Sequence, residues 1–535
     1  MNDTDIDKNQ EKQFFSTPIY YVNAKPHLGH AYTSIAADVA ARFKQMQGCE
    51  TFLLTGTDEH GDKIVQAAEE QQTTPKEYAD RVSRLFQDLL PSLNVENNYF
   101  IRTTNEDHIK VVQEVLLKIY NNKDIYFSSY EGLYCYGCER FYQQRELADG
   151  KCPDHGTKPE TIKESNYFFK MSNYQEWLIN HIKANPDFIQ PEQYKNEILS
   201  FLKEPLEDLC ISRPKTRLTW GITLPFDEDY VTYVWFDALL NYISALGFPD
   251  GKLFRQFWPG ARHFVAKDII KPHGIYWPIM LKAAGIELYK GLNVHGFWNV
   301  KGSKMSKSIG NVTNPLEIID AYGLDQFRYF LMREMVFGLD ANFTQESIVS
   351  RINSDLANDL GNLFSRVLSM NHRYFKGRVK GADPKIEEKK NLSLALEAES
   401  TMDEFQKFMS ACEFSRGLEA VWQFIRKMNR YIDTNAPWTL AKDENSVDEL
   451  ATILYNLMEG LRVVSCLIYP VMPQTSLKMI KTLGMKTEGR SFYTLKESHL
   501  WGQIKKETII EKPAILFPRI DAGKQKNRVC HCYEI

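Results

Sequence analysis

The chain has little cysteine, no surplus of either charge sign and no long apolar run, and each shortage removes a class of protein. Nine cysteines in 535 residues are too few and too odd in number to frame a disulfide scaffold. They fit a reducing compartment, so the cytoplasm is the expected location. Lys plus Arg total 65 against 69 for Asp plus Glu, a net charge of −4, which excludes a histone-like polycation. A nucleic-acid partner stays open, because a local basic face is enough to bind one. No run of some 18 apolar residues is legible and mean hydropathy is −0.40, so no membrane span is expected. Met1–Lys12 is short, polar and acidic, unlike a secretory signal or an Arg-rich transit peptide. What is present is ordinary globular usage, 43% hydrophobic and 25% charged, which excludes disorder.

The first hundred residues alternate strand and helix. Phe14–Val22 (FFSTPIYYV) reads as a buried strand, Asn23–Pro26 as a loop, and Ala31–Gln47 as a helix closed by Gly48. Thr51–Leu54 is a second strand, opening into Gly56–Gly61. This βαβ grammar implies a parallel sheet that binds ligands at the carboxyl ends of its strands. From Asn121 to Lys170 the sequence turns rich in Tyr, Cys, Gly and charge, as an insertion would. Strand candidates resume at Val231–Phe236, His263–Ala266 and Leu292–Val300. Beyond about Thr344 the pattern is helical: Leu356, Leu360, Leu363, Phe364 and Val367 share a face, as do Leu418, Trp422, Ile425 and Ile432. The expected fold class is α/β, a Rossmann-like sheet split by an insertion and followed by an all-α bundle.

Three motifs carry chemistry. Pro26-His27-Leu28-Gly29-His30 stands between the first strand and the first helix, where a glycine, two imidazoles and a helix amino terminus suit phosphate. Taken alone, two surface histidines would be the blander account of HLGH. Lys304-Met305-Ser306-Lys307-Ser308 follows the last strand candidate, and its two lysines can neutralise a triphosphate, although a solvated charge run is the usual meaning of such a stretch. Its spacing excludes a P-loop. Cys135, Cys138, Cys152 and His155 form C-x2-C-x13-C-x2-H, three thiolates and an imidazole that close a tetrahedral structural zinc site. Cys530 and Cys532, beside His531 at the chain end, read as incidental.

HLGH and KMSKS, about 275 positions apart, together resemble the class I aminoacyl-tRNA synthetases. TPIYYVNAKPHLGHAYT, FLLTGTDEHG, VTYVWFDALLNY and NRYIDTNAPW narrow the resemblance to the methionyl-tRNA synthetases of the bacterial branch with a single zinc knuckle, over about Phe14 to Pro518. The resemblance implies a ligase that activates methionine with ATP and Mg2+ and transfers it to initiator and elongator tRNA(Met). His27, Gly29, His30, Lys304 and Lys307 would bind ATP, the two histidines and two lysines being catalytic. Ile19, Tyr21, Asp58, Val234, Trp235, Ala238, Leu239, Tyr242, Ile269 and His273 would surround methionine, with Asp58 on its ammonium group. Aromatic rings suit a thioether. Leu239 stands where some of the family carry proline, and Asp268 and Lys267 would lie close by. Without the resemblance, Val234, Trp235 and Ile269 would be read as core.

In the helical half Asn362 and Arg366, four apart on one helix, and Trp438 after Pro437 would read the anticodon, since amide, guanidinium and indole bond and stack on splayed bases. The insertion would hold its zinc and help to bring the acceptor end of tRNA to the site. The expected divisions are 1–118 and 226–300 for the catalytic halves, 119–225 for the insertion, 301–350 for the KMSKS region and 351–535 for the anticodon domain and tail. Two other classes compete. Ligases for isoleucine, leucine or valine carry larger insertions, and a cysteine ligase needs an open zinc position that four protein ligands deny. A non-catalytic RNA-binding protein would not require HLGH and KMSKS. Too few residues follow Pro513–Pro518 for an appended dimerisation barrel, so a monomer is expected.

Overall fold

The computed structural model describes residues 10–23, 25–135, 140–142, 144–153, 156–300, 303–304, 313–486, 495 and 500–521. At its centre lie six parallel strands: β1 (Lys12–Tyr21), β2 (Glu50–Asp58), β3 (Tyr99–Arg102), β4 (Ile189–Gln190), β5 (Ala261–Ala266) and β6 (Gly291–His295). Their order is β3-β2-β1-β5-β6-β4. The chain builds outward from β1 to β3 and then returns to lay β5 on the other side of β1, so the switch point of the sheet falls between β1 and β5. Open parallel sheets bind ligands at that place, outside the carboxyl ends of the strands.

Successive residues on the strands point to opposite faces, and the sequence fills both with apolar side chains. Phe15, Leu53 and Phe264 enter one core together with helix α1 (Leu28–Met46). Phe14, Phe52, Leu54 and Val265 enter a second core under Leu239–Ile243 and Trp277–Leu281. The first of these cores runs without interruption into the helical half, through Phe327–Met332 to α2 (Asn362–Phe375), α3 (Ala395–Ser410), α4 (Phe414–Asn435) and α5 (Val447–Ile468). Polar groups fasten the same junction. The Arg328 guanidinium, fully buried, donates to Asp38 on α1 (2.6 Å), to the carbonyls of Leu93 and Asn94, and to those of Pro470 and Val471 in the helical half.

Several expectations change. The run Val231–Phe236 is not one strand: Asp227–Thr232 is a strand of a small antiparallel sheet, and Trp235–Ala238 is helical. The break falls at Val234, which adopts φ 31°. Strand β2 continues through Gly56 to Asp58 instead of opening at Gly56, and Leu292–Val300 divides into β6 and Trp298–Val300. The insertion is a four-stranded antiparallel sheet whose long hairpin pairs Ile125–Cys135 with Glu160–Phe169, while β4 leaves the 119–225 span to join the edge of the central sheet. Ile352–Gly361 winds as a wide π-helix before α2, although its buried Leu356 and Leu360 keep the four-residue spacing of an ordinary helix.

By length and composition Glu444–Ile468 could cross a membrane, although Glu459 and Arg462 interrupt its apolar run. From Leu450 to Ile468 it is buried as the central helix of the bundle. Its charged interruption is satisfied there. Arg462 pairs with Glu459 at 2.9 Å, and Glu459 also accepts the backbone N–H groups of Gly502 and Ile504.

Candidate active site

A cavity of about 370 Å³ opens at the switch point. Pro18–Tyr21 of β1 form one wall, and Pro18 explains how the strand opens there: it cannot donate to the ladder, and the β1–β2 register shifts between Ser16 and Ile19. Ala266 ends β5 and Asp268 and Ile269 follow it, while His295 ends β6 and Gly296, Phe297 and Trp298 come after it. Gly296 in that last segment has to be glycine. A Cβ there would sit 2.3 Å from the Leu339 carbonyl oxygen.

His27 and His30 build a capping box at the start of α1. The Gly29 N–H donates to His27 Nδ1 and the His27 N–H donates to His30 Nδ1, both at 3.1 Å. A capping box made of two imidazoles fixes their chemistry. With each Nδ1 accepting a backbone proton, each neutral ring carries its own proton on Nε2, as a donor. The rings stack with centroids 3.7 Å apart, and burial, with His27 beside it, holds the His30 imidazole well below its ordinary pKa. Two ring N–H donors and a helix amino terminus suit an anion. The Leu28 N–H also donates to the Thr313 carbonyl at 3.2 Å, which ties HLGH to the segment following KMSKS. Of KMSKS itself, the backbone of Ser303–Lys304 pairs with Trp298–Val300; the side chain of Lys304 and the whole of Lys307 lie outside the described residues.

All ten residues expected around methionine line this one cavity: Ile19, Tyr21 and Asp58 on the β1–β2 side, Val234, Trp235, Ala238, Leu239 and Tyr242 opposite, and Ile269 and His273 at the base. The Tyr242 hydroxyl donates to His273 Nε2 (2.7 Å), while His273 Nδ1 donates to the Ile269 carbonyl (2.9 Å). Burial pushes His273 down to about 4, against that carbonyl's opposing effect, so the ring is neutral. His295 is likewise pushed down to about 4 by burial. Its Nδ1 donates to the Gly296 carbonyl and its Nε2 accepts from Thr33. Asp268 lines the cavity, whereas Lys267 turns to Asp340 at 2.8 Å and over the Phe297 ring.

Sequence reasoning passed over Tyr20, Tyr32, Thr33, Asn241 and His295–Trp298, which also line the cavity. For His295–Trp298 a signal existed, because the segment directly follows the carboxyl end of a central strand.

In the insertion Cys135 and Cys152 are buried at 2% and 1% exposure in one small cluster with Tyr142, without a disulfide. The Cys152 thiol donates to the Tyr142 hydroxyl at 3.5 Å; two buried thiols in one cluster are compatible with half of a thiolate metal set. Cys138 and His155 lie outside the described residues, among which there is no group of three or more candidate ligands. In the helical half Asn362 and Trp438 are exposed. Arg366 pairs with Asp433 (3.0 Å) near the end of α4, five residues before Trp438. Helix α4 stops at Asn435 because Ala436 turns left-handed at φ 40° ahead of Pro437.

This architecture matches known proteins along nearly its whole length. The model of the class I tRNA synthetases (M) matches residues 13–158 and 146–368, and the model of the anticodon binding domain of methionyl tRNA ligase matches 382–529. The chain belongs to the methionyl-tRNA synthetase family. It is 44% identical over 514 residues to the methionine–tRNA ligase of Caldanaerobacter subterraneus, covering 96% of this chain and 79% of that one. With the ligase of Clostridium perfringens it is 46% identical over 518 residues, covering 96% and 78%. Mycobacterium tuberculosis methionyl-tRNA synthetase in complex with methionyl-adenylate superposes with a TM-score of 0.89 at 40% identity, over 95% of this chain and all of that one. The apo form of that enzyme gives 0.84 at 37% identity, over 96% and 99%. The reaction is therefore the ATP-dependent activation of methionine and its transfer to tRNA(Met).

Proposed function

We propose that the switch-point cavity is where methionyl-adenylate forms and that the exposed end of the helical half reads the anticodon. The observation that carries this reading is the convergence of ten separately coded residues and both HLGH rings on one cavity. Methionine lies with its thioether among Ile19, Trp235, Tyr242 and Ile269, and its ammonium group meets Asp58. Its own carboxylate attacks the α-phosphorus of ATP and pyrophosphate leaves, so no side-chain nucleophile is needed. His27 and His30 donate Nε2–H to phosphate oxygens, and burial favours the neutral form of the His30 ring. Lys304 and Lys307 close on the departing pyrophosphate, and Mg2+ arrives with ATP and offsets part of its charge. In the second step a ribose hydroxyl at the 3′ end of tRNA attacks the activated carbonyl and AMP leaves.

Cys135, Cys138, Cys152 and His155 hold a structural zinc that stiffens the tip of the 119–225 insertion, and Asn362, Arg366 and Trp438 bind splayed anticodon bases. The same reading takes 301–350 as the KMSKS region between the catalytic halves and the 351–535 anticodon domain, and the protein as a cytoplasmic monomer.

ATP–pyrophosphate exchange with each amino acid in turn tests the cavity. Exchange should depend on methionine, and Ile269→Ala should raise the methionine KM about tenfold, as expected for losing a buried aliphatic contact. An unchanged KM would remove the cavity from methionine binding. Metal analysis tests the insertion: about one zinc per chain is expected, lost in Cys135→Ser, and a metal-free wild type prepared without chelator would refute it.

A further inference from the structure

Behind the candidate methionine cavity lies a buried ionic group that the scheme above does not use. Asp237, on the short helix Trp235–Ala238, is 2% exposed and faces two imidazoles. His60 Nδ1 donates to one carboxylate oxygen at 2.7 Å, and His108 Nε2 donates to the other at 2.9 Å. The second ring extends the chain of bonds: His108 Nδ1 meets the Ser244 hydroxyl at 2.8 Å. Burial alone would raise the Asp237 carboxyl, but His60 and His108 overcome it and hold the group at about 2. Each ring reaches the carboxylate with a proton even when neutral, so the arrangement needs no buried net positive charge.

The three side chains come from three elements. His60 follows β2 and stands two residues after Asp58; His108 is on the helix Glu106–Asn121; Asp237 stands between the cavity residues Trp235 and Ala238. The loop bearing His60 is fixed behind by Glu59, which accepts from Arg102 through both carboxylate oxygens and from Thr104, and by Trp220, which donates to the Glu59 carbonyl. His60 then crosses to the opposite wall. That wall needs an anchor, because it begins at Val234 with φ 31° and ψ −82°, a conformation unfavourable for a β-branched residue.

We propose that His60, Asp237 and His108 clamp the two walls of the amino-acid cavity together, with Asp237 and His60 acting as positioning residues for methionine. They touch no substrate. Their effect is to keep Asp58 at a fixed distance from Trp235 and Ala238, so that one methionine meets both its ammonium partner and its side-chain wall. The inference rests on the assignment of this cavity to methionine. The phosphate side is held separately, by the HLGH capping box, and does not depend on the clamp.

Two replacements of similar size separate the hydrogen bond from the volume of the ring. His60→Asn keeps an amide N–H at the reach of Nδ1, whereas His60→Gln moves it out to the reach of Nε2. In methionine-dependent pyrophosphate exchange His60→Gln should raise the methionine KM about tenfold, the scale of one lost charge-assisted hydrogen bond. Its ATP KM should stay within about twofold of wild type and its kcat at saturating methionine within about threefold, as expected for a change confined to ground-state binding. His60→Asn should restore the methionine KM to within about threefold of wild type, as one conserved donor implies. Equal behaviour of the two variants, or ATP and methionine KM rising together, would overturn the clamp. Asp58→Asn, measured alongside, reports on the cavity: if it raises the methionine KM while His60→Gln does not, the clamp alone fails. If Asp58→Asn also leaves it unchanged, the cavity assignment fails and takes the clamp with it.

Discussion

His263, His273 and His295 are buried at or behind the cavity and, like half-buried His30, held neutral, whereas Asn362 and Trp438 stand at the surface of the helical half and Arg366 is half-buried. The difference follows from what each region has to do. Charge develops on phosphates in the cavity, so donors are useful there only if they are already aimed, and every ring is fixed through a hydrogen bond that also sets its tautomer. His263 shows the same discipline away from the cavity wall: its Nε2 accepts from Trp277 and its Nδ1 donates to Ser16. The reader has to bind and release a large RNA. Arg366 rests on Asp433 in a surface pair worth only about 0–1 kcal/mol, so the proposed exchange for an RNA contact would cost little.

If the catalytic side depends on donors already in place, removing one should be expensive. Lys307→Ala takes away a cation proposed to meet the leaving pyrophosphate. Exchange should fall by about 100- to 1,000-fold, the 2.7–4 kcal/mol typical of such a donor, with methionine binding little changed. An unaltered exchange rate would remove Lys307 from the mechanism and weaken the contrast.

Acid should break the catalytic side by a second route. For His273 and His295 the folded value of about 4 lies below the ordinary 6.5, so the unfolded chain binds protons that the native rings refuse. Their contribution is fully present above pH 6.5 and is lost as the pH falls towards 4. By pH 5 it should cost about 2 kcal/mol for each ring. Denaturant melts at pH 7 and pH 5 measure this, and equal stability at both would mean that the rings are not held neutral. A smaller effect sharpens the contrast. Tyr242→Phe removes the donor to His273 Nε2 and should cost about 1–3 kcal/mol through a buried acceptor left unpaired, read as lower stability and a higher methionine KM.

How much of this was legible depended on whether local pattern or three-dimensional closure decides it. The apolar runs at Phe14–Val22 and His263–Ala266 read correctly as strands, because buried parallel strands are apolar on both faces. HLGH marked the start of α1, though not that its histidines cap it. VTYVWF was misread as one strand, since nothing local announces a β-branched residue at positive φ, and the buried Asp237 beyond it needs partners 129 and 177 residues away. The π-helix over Ile352–Gly361 left no mark in the spacing of leucines. The residues proposed to surround methionine came from family resemblance; by pattern alone Val234, Trp235 and Ile269 looked like core, and all three are only half-buried at the cavity wall.

The claim that the two regions are separately built is tested most directly by Trp438→Ala, assayed in parallel for methionine-dependent pyrophosphate exchange and for charging of tRNA(Met). Exchange never touches tRNA, and the 43% exposed indole supports no core, so exchange and melting temperature should stay near wild type. Charging should fall through loss of a base–aromatic stack worth about 1–3 kcal/mol, and more if the displaced bases also lose Asn362 and Arg366. A tRNA with an altered anticodon, already a poor substrate, should lose little further with the variant. If exchange, stability and charging instead declined in proportion, Trp438 would be a structural residue and the contrast between a fixed catalytic cavity and an exposed reader would be wrong.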